Sequence, residues 1–206
     1  MPNSDAFDSE TVRAARRVSE LSVVWTVTSS ALAIALGVVS GSMVLIAFGA
    51  IGCVDAVGSI ALVHHFRHAL QAEEISDRFE RRAHQIVIAG LGIIGTATII
   101  ASALRLVTGA SSSTSRAGAV VAAVSLVALV SLSARKQRVA RRVGSPALLA
   151  DGHLSAIGAL QAAVALAGLV AAQLLGWEWA DAVAALAVGA VALTLALAGR
   201  RRRDVI

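Results

Sequence analysis

The apolar residues of this chain come in blocks of about 20, and the charged residues sit between the blocks. At 1.5 Å per residue, a helix of that length crosses a hydrocarbon core about 30 Å thick. Six such blocks are legible, at about residues 21–39, 43–63, 86–107, 119–134, 147–175 and 180–198. They predict an all-α membrane protein, a bundle of six transmembrane helices. Hydrophobic residues make up 57% of the chain, against about 45–50% in soluble domains. An N-terminal segment of mixed charge at 1–20, expected in the cytoplasm, precedes the bundle (21–198), and a basic tail at 199–206 follows it. No segment outside the blocks is long enough to bury a core of its own, so a single domain is expected.

The connections differ in character. Ser40-Gly41-Ser42 is a very short turn, and residues 64–85 alternate charges at helical spacing, as a helix extending into water would. Residues 108–118 are rich in Ser and Gly and read as a loop. Gly144-Ser145-Pro146 ends one helix and starts the next. Trp177 and Trp179 suit an interfacial turn.

Sixteen of the 18 Lys and Arg residues fall on one side of the predicted membrane, leaving Arg105 and Arg116 on the other. By the positive-inside rule both termini are expected in the cytoplasm. The acids mixed into residues 1–20 and the length of the first apolar run argue for a retained span, not a cleaved signal peptide. One lysine, Lys136, beside 17 arginines, with abundant Ala and Val, suggests a GC-rich bacterial genome and hence a bacterial inner membrane. Basic groups scattered between spans do not form a nucleic-acid-binding face. The lone Cys53 excludes a disulfide framework and a Cys-rich zinc site. No phosphate-binding glycine loop with Lys marks an ATP-driven pump. No nucleophile–base pair marks an enzyme, and no resident cofactor is expected.

An ionisable group at bilayer depth costs about 2.5–3.5 kcal/mol on insertion scales, which makes it a functional candidate. Asp55 lies about 12 Å in from the cytoplasmic edge of the second span, at 1.5 Å per residue. His153 and Asp151 lie about 9 and 6 Å into the fifth. Asp181 stands at the outer start of the sixth. Asp55 and His153 share a level on antiparallel spans, so packing of those spans would let them meet. A carboxylate with an imidazole suits a borderline divalent ion such as Zn²⁺, and binding it would release protons. Simpler roles compete. Asp55 and His153 can be satisfied packing residues, and Asp151 and Asp181 can be acids at the positive ends of helices. Cys53 suits a small core residue. His64, His65, His68 and His84 suit a solvated charged face more than a metal-collecting loop. The many glycines suit close helix packing in lipid.

Short motifs in order then point to a family. The run 41–49 with Asp55 after it, the segment Phe79-Glu80-Arg81-Arg82-Ala83, the run from Gly144 to His153, and Gly176-Trp177-Glu178-Trp179-Ala180-Asp181 resemble the cation diffusion facilitators over about residues 10–200. The resemblance implies their six-helix transmembrane domain and the exchange of a divalent, zinc-like cation for protons, with lipid, metal ion and protons as partners. It also suggests a homodimer. The family's cytoplasmic C-terminal domain has no counterpart here, so a member comprising the transmembrane domain alone is expected. The family places two ligands four residues apart on the second helix and two on the fifth. Here those positions fall on Ile51 and Asp55, and near Leu154 and Gly158. A metal site of Asp55 helped by His153 and Asp151, with Asp181 as an outer-cavity acid, is therefore expected. The three non-ligand positions leave open a non-transporting scaffold or regulatory subunit, or transport of a weakly hydrated or organic cation.

Overall fold

The computed structural model describes residues 4–69, 77–109, 116–177 and 179–201. They form six helices: α1 (Ser4–Ser40), α2 (Met43–Ala69), α3 (Asp77–Thr108), α4 (Arg116–Val143), α5 (Pro146–Leu175) and α6 (Ala180–Arg201). All six are long and apolar enough to span a membrane. α1 begins at Ser4, well ahead of its apolar block. Most of the predicted loop at 108–118 and the tail beyond Arg201 lie outside the described residues, as does the centre of the charged stretch between α2 and α3. So do the side chains of His65, His68 and His84.

Local chemistry fixes the breaks between helices. Gly41 turns the chain at φ 68°, a left-handed conformation that costs glycine nothing for want of a Cβ. Ser42 then caps α2, its hydroxyl accepting from Leu45 N at 3.4 Å. Between α4 and α5, Ser145 is the N-cap of α5 and accepts from Leu148 N at 3.3 Å. Pro146 follows at the first helical position, where its missing N–H costs no bond. Trp177 and Trp179 stack with ring centroids 5.2 Å apart, both exposed, in the turn leading to α6.

The helices pack as neighbouring pairs, α1 with α2, α4 with α5 and α3 with α6, and α2 also touches α3, α5 and α6. The main core joins Leu45, Ala47 and Ile51 of α2 to Leu91 of α3, Leu169 of α5 and Val188 of α6. Alanine and glycine fill many of the closest approaches, since dispersion and close backbone contact hold helices together where lipid removes the hydrophobic drive. At Gly52 a Cβ would sit 2.3 Å from Ser30 Oγ, so the missing side chain is what lets α1 lie against α2 there.

At the end of the bundle holding the α1–α2 turn, Asp181 ties the α3–α6 pair to the α1–α2 pair. Its carboxylate accepts from the Ser42 hydroxyl and, at 2.8 Å, from the backbone N–H of Met43. Arg105 of α3 lies 3.4 Å from the same carboxylate and donates to Gly41 O at 2.6 Å. An acid of α6 thus satisfies an amide in the open first turn of α2, which a helix cannot pair internally.

Candidate cation site

A cavity opens at the centre of the bundle, lined by residues of all six helices, and Asp55 lines it. The same cavity is lined by Ile51, Leu154 and Gly158. The four positions picked out by the sequence resemblance therefore converge in space, although Asp55 is the one acid among them. The convergence follows from helix geometry: positions four apart lie on one face, and α2 and α5 pack together.

The helpers expected from α5 stand elsewhere. His153 is exposed on the outer stripe of α5 that also carries Ala156 and Leu160. The structure does not bring it to Asp55. A shared depth was not enough, because at 100° per residue His153 is rotated away from the face of Leu154, Gly158 and Gln161. Asp151 is buried, 4% exposed, but outside the cavity lining and already engaged. Its carboxylate lies 2.6 Å from the ammonium of Lys136 on α4 and accepts from the Ser59 hydroxyl of α2 at 3.0 Å. Lys136 is fully buried and also donates to Ser155 at 2.9 Å and Ser59 at 3.4 Å. Asp181 does not line this cavity; it is buried and bonded at the turn before α2. Cys53 faces outward. Among the described residues, no three His, Cys, Asp or Glu side chains are grouped to hold a metal.

Residues missed from the sequence complete the picture. Lys136 joins α2, α4 and α5 through a charge pair and two hydroxyls. Ser59 stands four residues from Asp55, one turn or about 6 Å along α2. Gln161 enters the cavity from α5, with Thr26, Ser29 and Ser30 opposite it on α1. A search restricted to ionisable groups in the apolar blocks passes over Gln161 because it carries no charge. Lys136 had a visible signal, as the lone lysine in a run of arginines. An ammonium on a flexible stem fits a compact buried site that a planar guanidinium does not.

A family model described as the cation efflux transmembrane domain matches residues 20–199. No curated protein matches the chain.

Proposed function

Because the chain belongs to the cation efflux transmembrane-domain family, whose members move metal cations across membranes, we propose that it is a secondary transporter. It carries a metal cation through the cavity beside Asp55 in exchange for protons. The observation that carries this reading is a carboxylate lining a cavity at the meeting point of the four helix positions where the family keeps its ligands. A carboxylate there can hold either a cation or a proton, and that alternation is what exchange requires. Rocking of helix pairs around the cavity would open it to each side in turn. The distribution of basic residues supports a bacterial plasma membrane protein with both termini inside.

Of the residues first singled out for a zinc-like divalent ion, Asp55 remains. For such cargo Gln161, the α1 hydroxyls and water would have to supply the other donors. A second reading, a non-transporting scaffold or regulatory subunit, is favoured by one observation: among the described residues no three-ligand cluster exists, and Ile51, Leu154 and Gly158 stand at the ligand positions. Flux into proteoliposomes under a pH gradient, with Zn²⁺, Cd²⁺ and Na⁺ as cargoes, separates the two. Gradient-driven flux lost in Asp55→Ala supports transport. Equal flux in wild type and variant, or none for any ion, refutes it.

A further inference from the structure

The groups around Asp55 select among cations by donor type. Thr26, Ser29 and Ser30 offer hydroxyl oxygens, and Gln161 offers a carboxamide that presents either its nitrogen or, turned by 180°, its oxygen. Gln161 and Thr26 are each 4% exposed, and Gln161 Nε2 and Thr26 Oγ1 have no hydrogen-bond partner. A buried polar atom is normally paired; Thr26 Oγ1 offers a free lone pair, and turning the Gln161 carboxamide puts its oxygen in place of the unpaired nitrogen, so both fit an occupant that takes oxygen donors. Ser30 keeps its place there because Gly52 leaves room for its hydroxyl. The nitrogen and sulfur donors nearest in sequence, His153 and Cys53, face outward. What remains is oxygen. Carboxylate, carboxamide and hydroxyl oxygens suit hard cations, whereas imidazole and thiolate suit zinc.

Charge sets a second limit. Asp151 and Lys136 form a neutral pair at 2.6 Å, so Asp55, the one acid in the cavity lining, brings a single negative charge when ionised. Away from water a net charge is costly, and one positive charge cancels this one. A divalent ion would leave an excess of one.

We propose that the cavity takes one hard monovalent cation, Na⁺ or Li⁺, with Asp55, Gln161, Thr26 and Ser30 as its oxygen ligands and with Lys136 restricting it to a single charge by neutralising Asp151. The proposal rests on reading the cavity as the family's cation site, and it names the class of cargo.

The test is equilibrium dialysis of the purified full chain in detergent against ²²Na⁺, with choline chloride balancing ionic strength. Thermal unfolding in NaCl, LiCl, ZnCl₂ and MnCl₂ runs beside it. Saturable Na⁺ binding is expected, displaced by Li⁺ and not by choline, with a matching rise in Tm. Asp55→Asn abolishes the binding, Gln161→Leu weakens it at least tenfold, and His153→Ala leaves it unchanged. Absence of saturable Na⁺ binding to the wild-type chain overturns the proposal, as does Asp55-dependent stabilisation by Zn²⁺ or Mn²⁺ without any by Na⁺. Failure of this proposal is separable from failure of the transport reading. Na⁺ binding without flux removes transport and keeps the site. Asp55-dependent Zn²⁺ flux without Na⁺ binding keeps transport and removes the monovalent assignment.

Discussion

Replacing Lys136 with Met isolates Asp151 inside the bundle. The ammonium and carboxylate are 2.6 Å apart and almost wholly buried. At an effective dielectric constant of about 20, Coulomb's law gives roughly 6 kcal/mol of attraction at that distance. Desolvation takes back several kcal/mol per ion, so the intact pair adds little net stability over an apolar filling. Removing one partner is different, because the other is left buried without its counter-charge, at a cost of about 3–5 kcal/mol. Lys136→Met and Asp151→Leu should each lower the unfolding free energy by that amount. The double variant, which leaves no charge behind, should lose less than about 2 kcal/mol by the same reasoning. The coupling between the two positions should therefore be at least about 4 kcal/mol, above the range of about 0.5–3 kcal/mol usual for contacting residues. Unfolding by SDS titrated into a mild detergent, followed by circular dichroism, measures all four corners of the cycle. Additive losses, or a double variant less stable than either single one, would refute a buried ion pair at this place.

Gly52→Ala drives a methyl group to 2.3 Å from Ser30 Oγ and should cost about 1–3 kcal/mol as overpacking; Ser30→Ala in the same chain should recover most of the loss in the same unfolding assay. Asp181→Ala removes the carboxylate that accepts from Ser42 and Met43 N and faces Arg105 and should cost about 1.5–3 kcal/mol, while Asp181→Asn, which keeps an acceptor, should cost less. Ser59→Ala removes a hydroxyl that donates to Asp151 at 3.0 Å and should lower the unfolding free energy by about 1.5–3 kcal/mol, less than either member of the ion pair.

The six-helix architecture was legible because span length and charge segregation are strong one-dimensional signals, and six spans of the right kind are present. The break at Gly144-Ser145-Pro146 was legible for the same reason, since capping chemistry is local. The site was legible only in part. Asp55 stands out in the sequence as a carboxylate in an apolar block, and it lines the cavity. His153 was misplaced because depth along a helix says nothing of rotation about it. Leu154 and Gly158 share the cavity face, and the residue just before them lies on the outer stripe. Asp151 was assigned to an ion because its true partner came from another helix. Lys136 lay in a basic run that read as a topology signal, and its one mark was to be the lone lysine among arginines. Gln161 needed the opposite wall of α1 before its side chain acquired a meaning.

Lys136 is the one lysine in the 206 residues, and it is fully buried. In the folded protein an amine-reactive ester therefore finds the α-amino group and no side-chain amine. Any event that parts α4 from α5 uncovers a second reactive nitrogen, and mass spectrometry would see it as one additional adduct. The chain carries its own single-site reporter of core opening, with no label to engineer.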